Sequence, residues 1–135
     1  MSSEQNRALQ TALAYFRAWT SHDFEQAMRY VADDIVCQAP AVQLAGAEAF
    51  RGFMGPFADI LTSSRLIAAF GDDETALLMY DAVTAPVRDA PGAECHTVRN
   101  GKITHMRIIF DRQPFTEARR AAAERAAAQE RREDA

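Results

Sequence analysis

The chain has 135 residues, of which 48% are hydrophobic and 25% charged, with a net charge of -4 and one lysine. This length and composition are typical of a single compact domain with one core. The acidic balance disfavours a nucleic-acid-binding surface, and no apolar run approaches the ~20 residues of a membrane span. The first ten residues lack the apolar core of a secretory signal, so we expect a cytoplasmic protein in which Cys37 and Cys95 stay reduced.

The first half of the chain has mainly helical periodicity. Apolar residues recur at helical spacing in residues 4–20 and 24–31, and a third helix is predicted to begin at Gly46. We expect Asp33 and Asp34 to end the second helix. Two short strands, 35–38 and 41–44, are predicted on either side of Pro40.

The second half of the chain has the pattern of β-structure. Four runs rich in apolar and β-branched residues predict strands at 65–70, 75–84, 94–99 and 102–110. Asn100-Gly101 predicts a type I′ hairpin turn, because both residues tolerate the positive φ that this turn requires. Three helices followed by an antiparallel sheet indicate an α+β domain.

The C-terminal segment differs in composition from the rest. Residues 115–135 are rich in Ala, Glu and Arg, which favours a helix but leaves little to bury. We therefore expect one domain over residues 1–114 and a helical or frayed C-terminal tail over 115–135. A solvated helix is the preferred interpretation of this tail, and a partner-binding helix is the alternative.

Three stretches carry a family resemblance: YFRAWTSHDFEQAMRYVADDIV, GAEAFRGFM and VRNGKITHMRIIFD. Over about residues 7–111 the chain resembles the NTF2-like superfamily, in its SnoaL-like and ketosteroid-isomerase-like branch. The resemblance implies a cone-shaped fold, in which a strongly curved antiparallel sheet wraps around helices and encloses a ligand cavity. It also implies a homodimer formed through the sheet and no cofactor. The fold carries isomerases, cyclases and hydrolases as well as non-catalytic binding modules, so it does not select an activity.

The resemblance nominates four catalytic residues. Its strand register places Asp81 inside the cone, and it places Glu94 and His96 on the inner face of the next strand. Tyr15 matches the helix-1 tyrosine that supplies an oxyanion-binding hydroxyl in ketosteroid isomerases. Asp81 and His96 are then the predicted proton carriers, Tyr15 is the donor, and Glu94 is a further acid.

Each nomination has a structural alternative. Tyr15 is equally consistent with a core-edge tyrosine, and His96 with a structural histidine. Asp81 is alternatively directed outward, where it would pair with Arg88 or Arg107. A one-residue slip of the strand that holds Glu94 would turn its inner face outward.

The same register predicts an apolar ligand pocket. Its residues come from the first and third helices and from two strands. They are Phe16, Trp19, Phe53, Phe57, Met79, Val83, Met106, Ile108 and Phe110.

Departures from the family patterns limit the assignment. The aspartate base of ketosteroid isomerases matches Ala39, and the last-strand aspartate of limonene epoxide hydrolases matches Ile108. Our first hypothesis is a cofactor-independent acid/base enzyme, of isomerase, cyclase or hydrolase type, for a small apolar carbonyl-containing or cyclic substrate. The second is a non-catalytic ligand-binding or dimeric assembly module. No His or carboxylate pair has metal-ligand spacing.

Overall fold

The computed structural model describes residues 5–134. Two helices precede the first two strands, a third helix precedes the other four strands, and a fourth helix follows them, which confirms the predicted α+β class. The helices are α1 (Arg7–Thr20), α2 (Phe24–Met28), α3 (Ala47–Ile60) and α4 (Gln113–Glu133). The strands are β1 (Val31–Ala39), β2 (Val42–Ala45), β3 (Leu61–Gly71), β4 (Thr75–Thr84), β5 (Ala90–Arg99) and β6 (Lys102–Phe110).

The six strands form one curved, unclosed sheet in the order β2-β1-β6-β5-β4-β3. All neighbouring strands are antiparallel except β1 and β6, which pair in parallel. The prediction of a purely antiparallel sheet is therefore wrong at this one pair. Because α3 and four strands separate β1 from β6 in the chain, no tight turn constrains their relative direction.

The junction between α2 and β1 also differs from the prediction. The helix ends at Met28, and Asp33 and Asp34 lie inside β1 with exposed side chains. Val31 and Ile35 on the same strand are buried, so burial of these two β-branched residues favours extended structure through the acidic pair. The pairing of β1 with β6 shifts register between Val31 and Val36, at the position of the two aspartates.

The hairpin between β5 and β6 agrees with the sequence. Asn100 has a φ of 53° and Gly101 a φ of 76°, as a type I′ turn requires. The turn fixes the register in which Arg99 pairs with Lys102. The pairing then shifts register between Thr97 and Val98, so the turn sets the register only as far as Val98 and Ile103.

The core lies between the inner face of the sheet and helices α1 and α3. Trp19 and Tyr15 of α1 are fully buried there, as is Phe50 of α3. Helix α4 buries none of its residues completely, but Phe115 in its first turn packs edge-on against Phe57 and Phe110. These two contacts place the start of α4 over the open end of the sheet. Within residues 5–134, no helix is both long and apolar enough to span a membrane.

Candidate functional site

A cavity of about 700 Å³ lies at the open end of the sheet. Helix α3 forms one wall, the ends of the strands form another, and the first turns of α4 lie along its rim. Its surface is mostly apolar, as is common for sites that bind small organic molecules. The lining residues are Pro40, Ala41, Val42, Gly52, Phe53, Met54, Pro56, Phe57, Ile60, Tyr80, Pro86, Ala90, Pro91, Gly92, Ile108, Phe110, Arg112, Phe115, Ala118, Arg119 and Ala122.

The structure divides the predicted pocket residues into three groups. Four of them line the cavity: Phe53, Phe57, Ile108 and Phe110. The other five do not line it, so the prediction is wrong for them. Phe16, Trp19 and Met106 are buried in the core outside the lining. Met79 and Val83 lie on the opposite face of the sheet.

The error for Met79 and Val83 arises from the register of β4. Alternate residues of this strand are buried, and they are Ala76, Leu78, Tyr80, Ala82 and Thr84. The residues between them point outward, because successive side chains of a strand lie on opposite faces. The inner face of β4 is therefore one residue out of step with the family register.

Asp81 consequently faces outward, and its predicted place in the cavity is wrong. Its side chain is 43% exposed and lies 3.5 Å from Arg65 Nη2 on β3. The outward alternative is correct, although the partner is Arg65 and not Arg88 or Arg107. Asp81 is therefore not the unpaired carboxylate in an apolar wall that made it a candidate proton carrier.

Glu94 and His96 do face inward, and both are buried. His96 Nε2 lies 2.9 Å from Glu94 Oε1, and the Tyr80 hydroxyl donates a 2.6 Å hydrogen bond to Glu94 Oε2. The Glu94 carboxyl is thus shared between two partners, one on each side. We call Tyr80, Glu94 and His96 the polar relay.

The sheet register brings these three side chains together. Leu78 of β4 is directly opposite Glu94 of β5, and Tyr80 is opposite Gly92. Tyr80 is therefore the diagonal neighbour of Glu94 on the inner face, within reach of a long side chain. His96 is two residues beyond Glu94 on the same strand and so shares its face.

Gly92 makes space for the tyrosine. A Cβ atom at this position would lie 3.0 Å from both Cζ and the hydroxyl oxygen of Tyr80. Only glycine allows the ring to lie across β5 without displacement. The ring therefore reaches the cavity wall while its hydroxyl bonds to Glu94.

Polar atoms without partners surround the inner end of the relay. Tyr15 Oη, Trp19 Nε1 and His96 Nδ1 are buried and make no hydrogen bond within the described residues. The rings of Tyr15 and His96 meet edge-on with centroids 5.5 Å apart. Unpaired buried polar atoms are uncommon in native proteins and are found at sites of chemistry or of bound water. Tyr15 thus lies beside His96, as predicted, but its role as donor stays a prediction.

The surroundings keep the nearby hydroxyl and thiol groups protonated. Burial is the main cause of the raised pKa of Tyr15 and of Tyr80, and the Glu94 carboxyl adds to both shifts. Burial, with a contribution from Glu94, also raises the pKa of Cys37 to about 12. At neutral pH these groups keep their protons and carry no charge.

Tyr80 was not among the residues predicted from the sequence. The pattern of β4 nevertheless contained the signal, since Thr75 and Asp81 share one face and Ala76, Tyr80 and Ala82 share the other. The charge of Asp81 was the one signal that favoured an outward orientation of its face, because both faces of the strand carry large apolar residues.

Within residues 5–134, no group of three His, Cys, Asp or Glu side chains is arranged to hold a metal ion.

The fold and the apolar cavity at its open end define an α+β domain with a pocket of the kind that is common in small-molecule-binding proteins. The SnoaL-like domain model matches residues 12–106. The chain belongs to the SnoaL-like domain family and has the NTF2-like fold. Members of this family typically bind small organic ligands.

Solved structures agree with this assignment. A crystal structure from Kribbella flavida DSM 17836 is 61% identical, with a TM-score of 0.84, over 87% of this chain and 97% of that chain. An NTF2-like protein of unknown function from Cytophaga hutchinsonii is 17% identical (TM-score 0.66, covering 78% and 91%). An LEH-like epoxide hydrolase of M. tuberculosis is also 17% identical (TM-score 0.66, covering 83% and 88%). The last two show the fold alone. A search of curated protein sequences finds no match.

Proposed function

We propose that this protein binds a small, largely apolar organic molecule in the cavity and exchanges a proton with it through Tyr80. One observation carries the proposal: Tyr80 lines an apolar cavity while its hydroxyl bonds to the buried Glu94 carboxyl at 2.6 Å. A carbonyl-containing or cyclic molecule suits this site, because its ring packs against apolar walls. The Tyr80 hydroxyl donates its one proton to Glu94, so its oxygen is free to accept a proton from the ligand.

The hydrogen-bond order supports a specific proton path. When a ligand proton passes to the Tyr80 oxygen, the tyrosine's own proton passes to Glu94 Oε2. Tyr80 is neutral before and after the step, which fits a phenol whose pKa is raised by burial and by Glu94. His96 holds the other carboxyl oxygen at 2.9 Å and so fixes the orientation of the base. The reverse step returns the proton to the ligand.

The alternative function is ligand binding in the same cavity without a catalysed reaction. Glu94 and His96 lie behind Tyr80 and are absent from the cavity lining, which within the described chain contains no carboxylate. This arrangement favours a non-catalytic binding module, in which Tyr80 only orients the ligand. Asp81 has no part in either function, because it faces outward.

Proton exchange on a simple ketone distinguishes the two functions. A panel of aryl-substituted cyclic ketones in D₂O would be followed by NMR for loss of the α-protons. The enzyme proposal expects exchange faster than in buffer alone, whereas a binding module would shift the ketone resonances without exchange. Ketones that neither bind nor exchange would contradict both functions.

Tyr80→Phe is expected to lower the exchange rate by about 10²-fold or more, the usual contribution of a positioned proton-transfer group. The variant removes the one hydroxyl that connects the cavity to Glu94, while its ring still fills the space beside Gly92. NMR exchange rates at saturating ketone would measure the effect. Tyr30→Phe is the matched control, because Tyr30 lies outside the cavity lining and its hydroxyl only accepts a bond from Gln26. Equal loss in both variants would contradict the relay.

The outer face of the sheet supports the homodimer expected from the sequence. Strands β3, β4 and β6 contribute large exposed apolar side chains: Ile67, Phe70, Leu77, Met79 and Ile109. Met79 and Ile109 flank Ala93 in one row across the sheet. A contiguous apolar face of this kind is typical of an interaction surface, and we propose that it pairs with the same face of a second copy.

Met79→Asp is expected to convert the dimer into a monomer, because a carboxylate at the centre of an apolar interface is buried without a partner. Size-exclusion chromatography with multi-angle light scattering would measure the molar mass of the protein in solution. Ala123→Asp adds the same charge on an exposed turn of α4 and is expected to leave the dimer intact. A monomeric wild-type protein at micromolar concentration would contradict the proposal.

A further inference from the structure

The cavity differs in charge from the protein that contains it. The chain carries a net charge of -4, yet the only charged side chains in the cavity lining of the described chain are Arg112 and Arg119. Arg119 belongs to α4, and Arg112 is the residue directly before this helix. An acidic protein thus presents an apolar cavity with a positively charged rim.

The two guanidinium groups have no ionic partner within residues 5–134. The nearest carboxylates in the sequence are Asp111 and Glu117, and Gln113 engages both of them. Its backbone N–H donates to Asp111 Oδ1 at 3.0 Å, and its side-chain amide donates to Glu117 Oε1 at 3.0 Å. Both acids therefore have other hydrogen-bond donors, and the arginines form no ion pair with them.

Helix packing holds the arginines at the rim. Phe115 lies between them in the sequence and packs against Phe57 and Phe110, with ring centroids 6.0 Å and 5.8 Å apart. Arg112, Phe115, Arg119 and Ala122 recur at helical spacing, and all four line the cavity. The first turn of α4 is at the same rim, so the positive end of the helix dipole adds to the charge.

From these observations we infer that the ligand is an amphipathic organic acid. Its apolar body fills the cavity as far as Tyr80, and its carboxylate lies at the rim between Arg112 and Arg119. Guanidinium groups match a carboxylate in geometry as well as charge, because their N–H donors form paired hydrogen bonds with its two oxygens. The inference rests on the proposed binding function and adds the chemical class of the ligand.

Two probes with the same ring test it: naphthalene-2-acetate, which carries the carboxylate, and naphthalene-2-ethanol, which is neutral. Titration calorimetry at low salt should show that the wild-type protein binds the acid at least about tenfold more tightly than the alcohol. The double variant Arg112→Gln/Arg119→Gln should lose this preference and keep its affinity for the alcohol. Added salt should weaken binding of the acid only.

The control is Arg120→Gln/Arg125→Gln, which removes the same charge from exposed positions of α4 outside the cavity lining. This variant should keep the full preference for the acid. Equal affinity of the wild-type protein for the two probes would overturn the inference and leave the binding function standing. Binding of neither probe would overturn the binding function, and the inference with it.

Discussion

Glu94→Ala is expected to lower the free energy of unfolding by about 2–6 kcal/mol, because each of two buried polar groups left without a partner costs about 1–3 kcal/mol. The substitution leaves the Tyr80 hydroxyl and His96 Nε2 without their shared acceptor. Because His96 Nδ1 is already unpaired, the imidazole would then have no hydrogen bond at either nitrogen within the described residues. Urea denaturation followed by tryptophan fluorescence would measure the loss, since Trp19 is fully buried.

Glu94→Gln separates the structural role of this residue from its proposed chemical role. The amide oxygen can still accept from Tyr80, and the amide N–H₂ can donate to an unprotonated His96 nitrogen. We expect this variant to keep most of its stability but to lose ketone proton exchange, because an amide does not take up a proton at neutral pH. If Glu94→Ala unfolded within about 0.5 kcal/mol of the wild-type protein, as surface substitutions do, the buried relay would be contradicted.

Elements with a strong local signal were predictable from the sequence. The Asn100-Gly101 turn predicted the hairpin in which Arg99 pairs with Lys102. The amphipathic pattern of α1 likewise predicted its buried face, although Trp19 lies in the core and not in the predicted pocket. In both cases, residues close in the chain carry the signal.

The register of β4 was not predictable from the family resemblance. Met79 and Leu77 are as apolar as Leu78, and the outer face of the sheet carries other exposed apolar residues. An apolar pattern on both faces of a strand leaves the choice to long-range pairing. The wrong inward placement of Asp81 followed from this ambiguity. It also left Tyr80 out of the predicted site residues.

The part that α4 takes in lining the cavity was also not predictable from the sequence. Its Ala/Glu/Arg composition indicates a solvated helix, and most of its residues are indeed exposed. The first turn of α4 is the exception, because Phe115 packs against Phe57 and Phe110. Phe57 is distant from Phe115 in the chain, so this contact leaves no local signal in the sequence. A single aromatic residue thus positions the part of α4 that completes the cavity.

Gly92→Ala is expected to weaken binding of naphthalene-2-ethanol by about tenfold and to slow ketone exchange. The added Cβ would lie 3.0 Å from Cζ and the hydroxyl oxygen of Tyr80, which is closer than ordinary packing allows. The ring must therefore move by a few tenths of an ångström, and the 2.6 Å bond to Glu94 lengthens or breaks. Calorimetry with the neutral probe measures the binding effect without any contribution from Arg112 or Arg119.

Gly52→Ala provides the matched comparison, because Gly52 lines the same cavity and a Cβ there meets no atom within 4 Å. Gly52→Ala is expected to raise the free energy of unfolding by about 0.5–1 kcal/mol, since alanine has a higher helix propensity than glycine. Binding and exchange should stay at the wild-type level. Comparable loss in both variants would show that cavity volume controls the activity, whereas loss in Gly92→Ala alone would assign it to the position of the Tyr80 ring.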